Sequence, residues 1–245
     1  MKQFGLIGLP LTHSFSKKFF TEKFENEQID ARYDLFELKH IADFSLLIEE
    51  HYLSGLNVTI PYKEKVMEFM DELDDTASEI GAVNVIKFIH NKDRLILRGY
   101  NSDAIGFENS LKPFLKPHHR KALILGTGGA SKAIDYVLRK NGIQTTFVSR
   151  TAKPDMFTYK QLTEDILTQN AVIINASPVG TFPHSEECPD IPYQFLTDKH
   201  LLFDVVYNPA ETIFLKKGRE HGAICLNGEQ MLVGQAVAAW KIWNK

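Results

Sequence analysis

Apolar positions along this chain fall in short runs separated by amphipathic stretches. Residues 4–7, 33–38, 56–60 and 83–89 read as strands, with helical patterns between the first three. One of those patterns sets Ile41, Phe44, Leu47 and Ile48 on a single face. The rhythm continues at 122–125, 145–148, 172–175 and 201–206. The helix after the first of these carries a stripe of Ala130, Ala133, Ile134, Val137 and Leu138 and stops at Gly142. A closing helix over 231–243 aligns Leu232, Ala236, Ala239, Trp240 and Trp243. Strands that alternate with helices predict an α/β fold with parallel sheets. Residues 113–120, with two prolines, and the acidic, proline-rich 183–192 do not support regular helices. Asn208-Pro209-Ala210-Glu211 reads as an N-cap, a proline at N1 and a glutamate at N3, which predicts a helix starting there.

At 245 residues and 44% apolar content, the chain has material for one large core or two modest ones. A formal charge of −3 without a long cationic run argues against a nucleic-acid surface. Cys188 and Cys225 are isolated and the nine histidines include no HExxH pair, so no metal site is expected. Two unpaired cysteines suit a reducing cytoplasm. The first ten residues are too broken by Gly and Pro for a signal peptide, and no apolar run is of bilayer length. A cytoplasmic protein with no membrane partner is the expectation.

The chain's strongest local motif is Leu123-Ile124-Leu125-Gly126-Thr127-Gly128-Gly129-Ala130-Ser131, a strand running through glycines into a helix. Backbone amides at such a helix N-terminus can approach a pyrophosphate, favoured by the helix dipole and the absence of side chains. Strict spacing asks for glycine where Ser131 stands, so a plain tight βα turn is the alternative. At the end of the next strand stand Ser149, Arg150 and Thr151, the position that reads the adenosine ribose in this fold. An acid there would accept from a free 2′-hydroxyl. Arg150 and Thr151 instead offer donors and positive charge suited to a 2′-phosphate, which predicts NADP rather than NAD; a solvated surface arginine is the alternative. Because this turn falls mid-chain, behind a segment that already reads as folded α/β, a substrate domain is expected before a nucleotide domain.

That earlier segment holds three polar clusters. His13-Ser14-Phe15-Ser16 follows the first strand where a helix begins, so both hydroxyls lie near a positive dipole end that suits a carboxylate. Simple N-capping by one serine is compatible with that role. Asn57-Val58-Thr59-Ile60-Pro61-Tyr62-Lys63 is a strand entering a proline turn, with Asn57 and Thr59 on one face by alternation and Lys63 following. Tyr100-Asn101-Ser102-Asp103 precedes a helix expected near Ala104, and Asp103 as its cap rivals a chemical role.

Gly8-Leu9-Pro10-Leu11-Thr12-His13-Ser14-Phe15-Ser16, residues 57–63, Gly81-Ala82-Val83-Asn84, Asn101-Ser102-Asp103, the Gly126 turn and the segment 227–235 together resemble, in order and over nearly the whole chain, the shikimate dehydrogenase family. The resemblance implies reversible NADP-dependent reduction of 3-dehydroshikimate to shikimate, within the shikimate pathway of aromatic amino acid and chorismate biosynthesis. It implies an α/β substrate-binding domain over 1–103, completed by 228–245, and a Rossmann-like dinucleotide-binding domain over 104–227, with the last helix returning to the first domain. It makes Lys63 and Asp103 the catalytic pair and puts Ser14 and Ser16 on the substrate carboxylate. Asn57, Thr59, Asn84 and Gln235 would address the hydroxyls or position the pair, with Tyr207 near the substrate or merely packing. Gln235 shares a helical face with Leu232 and Ala239, so it points inward from an apolar stripe and needs partners. For NADP the resemblance implies Gly126, Thr127, Gly128, Gly129, Ala130, Ser149, Arg150, Thr151, Ala176, Ser177, Val205, Gly228 and Met231.

Three departures stand out: Lys17 where many relatives have proline, Ser149 for the usual asparagine, and Glu229-Gln230 among residues that are commonly small or apolar. Glu229 places a carboxylate near the mouth of the implied site and bears on substrate identity. Rival readings are an NAD-preferring quinate/shikimate dehydrogenase, a relative acting on an aminated analogue, and a catalytically silent sensor of NADP or a pathway metabolite. The small-molecule substrate is the partner expected, for a monomer or a homodimer.

Overall fold

The computed structural model describes residues 1–11, 14–92 and 94–245. Thr12 and His13 of the first polar cluster, and Asp93, lie outside the described residues. The chain divides into two compact units, Met1–Ser102 with Gln235–Lys245, and Asp103–Gly234.

The first unit runs β1 (Lys2–Gly8), α1 (Phe15–Asn26), β2 (Ala31–Glu37), α2 (Asp43–Glu50), β3 (Leu53–Val58), the short β4 (Glu72–Leu73), α3 (Asp75–Ile80), β5 (Val85–His90) and β6 (Leu95–Tyr100). Their sheet has the order β2-β1-β3-β5-β6-β4. β1 pairs in parallel with β2 and β3, whereas β5 is antiparallel to both β3 and β6. The sheet is therefore mixed, where the strand–helix rhythm predicts parallel pairing throughout. The cause is the connection from His90 to Leu95, far too short for a crossover, which leaves only an antiparallel return. β1 shows why this sheet needs so many apolar residues: Phe4 and Leu6 enter a cluster with Phe20, Phe24, Tyr33 and Trp243, while Ile7 joins Phe44, Leu56 and Ile86 in another. Alternation thus feeds both faces of a sheet that is covered on both sides.

The second unit comprises α4 (Ser102–Leu111), β7 (Lys121–Leu125), α5 (Gly129–Lys140), β8 (Gln144–Ser149), β9 (Met156–Thr158), α6 (Glu164–Gln169), β10 (Val172–Asn175), β11 (Leu201–Asp204), α7 (Ile213–Glu220) and β12 (Ile224–Leu226), followed by α8 (Glu229–Trp243), whose later turns belong to the first unit. Its strands order as β12-β11-β10-β7-β8-β9, every pair parallel. β7 lies between β8 and β10, so the chain leaves β7 at the point where strand order reverses, the place where such sheets bind ligands. The helix expected from Asn208 begins instead at Ile213, capped by Thr212, whose hydroxyl oxygen accepts from the Leu215 amide at 3.4 Å. Thr212 wins the cap because its hydroxyl also donates to buried Asp204 at 2.6 Å, which pins it beside β11.

Candidate active site

In the first unit, the strand and turn chemistry gathers several of the predicted polar residues into one buried network. Ser14 is the N-cap of α1, its hydroxyl oxygen accepting from the Lys17 amide at 3.1 Å. A capping serine still has its own proton to donate, so the cap and a carboxylate-binding role coexist. Ser16 lies in the first turn of α1, close to the phenol of Tyr33. Tyr33 donates to Asn57 Oδ1 at 2.7 Å, and Asn57 Nδ2 donates to the Asn84 carbonyl at 3.4 Å. Asn84 Nδ2 donates to Ser102 Oγ at 3.1 Å, and its Oδ1 accepts from the Ser102 amide at 2.6 Å. Asn57, Asn84 and Ser102 are all buried. Buried amides at such density need this full pairing, since an unpaired one would cost about 1–3 kcal/mol.

Around this network, β3 ends at Val58, so Thr59 lies just past the strand, where its amide still donates to the Ile7 carbonyl at 2.9 Å. Its methyl lies against Gly8, leaving no room for a Cβ there. Lys63 is half-buried in the following turn, with its carbonyl accepting from the Val83 amide at 2.7 Å. Asp103 opens the second unit as the second residue of α4, so it is not that helix's cap; it is 7% exposed. Gln235 is buried in α8, within the first unit.

The second unit presents the glycine turn at the C-terminal end of β7. Gly126 has φ of +110°, a conformation that favours glycine, and a Cβ there would lie 3.3 Å from the Ala176 backbone. Gly128 is the side-chain-free N-cap of α5, and a Cβ there would meet nothing within 4 Å. Thr127, Gly129 and Ala130 complete a partly open cradle. Ser131, in place of the third glycine, is buried and donates its hydroxyl to the Gly128 carbonyl, so it closes the helix start rather than blocking it. Ser149 ends β8 and accepts from the Thr151 amide at 3.3 Å, while Arg150 is exposed. Among the described residues, no carboxylate pairs with the Arg150 guanidinium. An open amide-lined cradle with an available cation one strand away fits the pyrophosphate and 2′-phosphate of NADP.

Two further segments are fastened by a cluster that the sequence reading missed. Asn175 Oδ1 accepts from the Ser177 amide at 3.1 Å and from its hydroxyl at 2.6 Å, and Asn175 Nδ2 donates to Asp204 Oδ1 at 2.9 Å. Asp204 also accepts from the Val206 amide at 3.0 Å and from Thr212. It is fully buried, and that burial pushes its carboxyl up to about 6, against the opposing pull of its hydrogen bonds. The cluster sets the course of the chain through Ala176 and Ser177 and through Val205 and Val206. Gly228 packs so closely on the Val205 carbonyl that a Cβ would collide with it. Met231 is buried and Tyr207 is 42% exposed. A lone acid ending an apolar strand was the available signal for Asp204; Tyr33, one aromatic in an apolar run, offered none. Among the described residues, His184, Glu186 and Glu187 bring ligand-type atoms within 4.8 Å of one another on an exposed loop, as surface acids commonly do without an ion. No helix among the described residues is long and apolar enough to cross a membrane.

A parallel nucleotide-type sheet with its glycine turn at the strand-order reversal, joined to a second α/β unit rich in buried amides and hydroxyls, defines a two-domain dinucleotide-dependent oxidoreductase. The family model for the shikimate dehydrogenase substrate binding domain matches residues 6–86. A shikimate dehydrogenase (NADP(+)) of Clostridium beijerinckii is 37% identical, the match covering 100% of this chain and 93% of that protein. The crystal structure of a chorismate mutase/shikimate 5-dehydrogenase fusion protein from Clostridium acetobutylicum superposes with a TM-score of 0.87 at 34% identity, over 100% of this chain and 91% of that one. The shikimate 5-dehydrogenase of Thermus thermophilus, solved with NADP(H) and shikimate, gives 0.84 at 26% identity over 99% and 93%. The chain belongs to the shikimate dehydrogenase family.

Proposed function

We propose that this protein interconverts 3-dehydroshikimate and shikimate with NADP, the first unit holding the substrate and the second the cofactor. The observation that carries this reading is the buried Tyr33–Asn57–Asn84–Ser102 network, a costly polar insertion in an apolar core unless it serves a polyhydroxylated ligand, in a chain whose full-length relatives are NADP(+)-dependent shikimate dehydrogenases. Bound NADPH supplies the hydride. Gly126 to Ala130 would hold its pyrophosphate and Arg150 and Thr151 its 2′-phosphate, with Ser149, Ala176, Ser177, Val205, Gly228 and Met231 lining the remainder.

Reduction of a ketone leaves a developing alkoxide, and Lys63 donates the proton to that oxygen; in the reverse direction it takes the proton back. Asp103 orients the Lys63 ammonium. Ser14 and Ser16 bind the substrate carboxylate at the positive end of α1. Asn57, Thr59, Asn84, Tyr207 and Gln235 orient the ring hydroxyls. A cytoplasmic location, as monomer or homodimer, goes with this reading and with the two free cysteines.

The test follows NADP reduction spectrophotometrically with shikimate, then repeats it with quinate and with NAD. Turnover is expected with shikimate and NADP. Faster turnover of quinate with NAD would replace the reading by an NAD-preferring quinate/shikimate dehydrogenase. Tight ligand binding with no turnover on a panel of cyclic 3-oxo acids would identify a sensor.

A further inference from the structure

Tyr33 stands mid-strand in β2, 1% exposed, with its ring stacked on Phe20 at 4.9 Å between centroids and 12° between planes. Packing of that kind needs a ring and makes no use of the hydroxyl. Yet the hydroxyl donates at 2.7 Å to Asn57 Oδ1, on a side chain proposed to face the substrate.

We infer that Tyr33 is a positioning residue for the substrate site, holding the Asn57 carbonyl turned away from the ligand so that the Asn57 NH2 group faces it. The inference rests on the function proposed above. A primary amide presents a donor or an acceptor depending on a rotation about one bond, and a polyhydroxylated ring is read correctly in only one of the two senses. The two bonds that could decide the sense are unequal. The Tyr33 contact is short, whereas Asn57 Nδ2 reaches the Asn84 carbonyl only at 3.4 Å, so the phenol sets the orientation. Burial pushes the Tyr33 phenol well above its ordinary range, which keeps its proton in place as a donor throughout the working pH range.

The backbone of Tyr33 is tied to the same task. Its carbonyl accepts a hydrogen bond from Lys17 Nζ, and Lys17 also pairs with Asp34 at 3.8 Å. Lys17 thereby fastens the first turn of α1, which carries Ser14 and Ser16, to the strand that presents Tyr33. The residue that departs from the family pattern thus gives this chain a tether.

The experiment compares the full-length protein with its Tyr33→Phe variant, which keeps the stacked ring. Calorimetric titration with shikimate in the absence of cofactor should show a Kd raised roughly 5- to 10-fold, as expected for loss of one net hydrogen bond. The Kd for NADP should stay unchanged. In an Asn57→Ala background the same substitution should shift the shikimate Kd by less than about twofold, because the group it positions is gone. An unchanged shikimate Kd in Tyr33→Phe, or a full-sized effect on top of Asn57→Ala, would overturn the inference and assign Tyr33 to packing alone. A readout that does not depend on a variant folding is the Asn57 side-chain NH2 resonance of the unaltered protein: it should shift on shikimate binding, and a resonance that stays put under saturation also overturns it. Failure of the unaltered protein to turn over or bind shikimate would remove the function reading itself; normal turnover with an unaffected Tyr33→Phe would remove only the role of Tyr33.

Discussion

Lys63 and Arg150 carry the sharpest expectations for single side chains. Lys63 occupies a turn whose backbone is pinned by the Val83 amide, so truncating its side chain removes the ammonium without unfolding its support. Lys63→Ala should lower kcat by on the order of 10²- to 10⁴-fold in steady-state assays, with a much smaller change in the KM for shikimate. Unaltered turnover would dismiss it as the proton donor. For Arg150, exposed and without a carboxylate partner among the described residues, removal should cost a charge-assisted contact to the 2′-phosphate. Arg150→Ala is expected to raise the KM for NADP by roughly 10- to 100-fold while leaving that for NAD nearly level; a constant ratio of the two would return Arg150 to the solvated surface. The sequence singles both residues out as candidates by position, Arg150 just after β8 and Lys63 in the turn that follows β3. It does not single out Tyr33, because what distinguishes that residue is the neighbour that β1 and β3 bring to it, Asn57, 24 positions further along.

Among the elements, α8 shows how a readable stripe still conceals its seat. Trp243 closes that stripe, and its indole donates to the Ile86 carbonyl at 3.0 Å while packing on Phe4 at 4.8 Å between centroids. The ring lies directly over Gly55 of β3, where any Cβ would collide with it. Gly55→Ala should therefore destabilise the protein by about 1–3 kcal/mol, read as a lower Tm in thermal denaturation, because the indole must leave its rotamer or the strand must shift. An unshifted Tm would mean that the ring is not held there. The strand–helix alternation behind the α/β expectation was sound, yet it passed over β6 and misplaced the start of α7. In the first case only the short link from β5 sets the strand direction. In the second, Thr212 is chosen as cap by Asp204, which no local pattern around Asn208 contains.

Across the folded chain, Asp204 couples stability to pH. Its carboxyl is raised from 3.8 to about 6 by burial, so between those values the folded state holds a proton that the unfolded state has released. Its contribution is thus most favourable at or below about pH 4 and is lost as pH rises toward 6, by an amount on the order of 3 kcal/mol. Asp204→Asn keeps an acceptor for the Asn175 and Val206 donors and cannot titrate. The difference in Tm between the unaltered protein and this variant, followed from pH 4 to 7, should therefore drift against the aspartate as pH rises, and a flat difference would show that the carboxyl is not protonated in the fold.

Periodicity, turn chemistry and the glycine cradle act over a dozen residues or fewer; they sufficed to establish an α/β chain with a nucleotide turn at mid-length, and to single out Lys63, Asp103 and the hydroxyl and amide clusters as its candidate chemical groups. Strand direction, the seat of Trp243, and the joining of Tyr33, Asn57, Asn84 and Ser102 into one network belong to the assembled protein. Those contacts link residues far apart in sequence, and burial, which makes each buried amide find a partner, exists only once the sheets have formed.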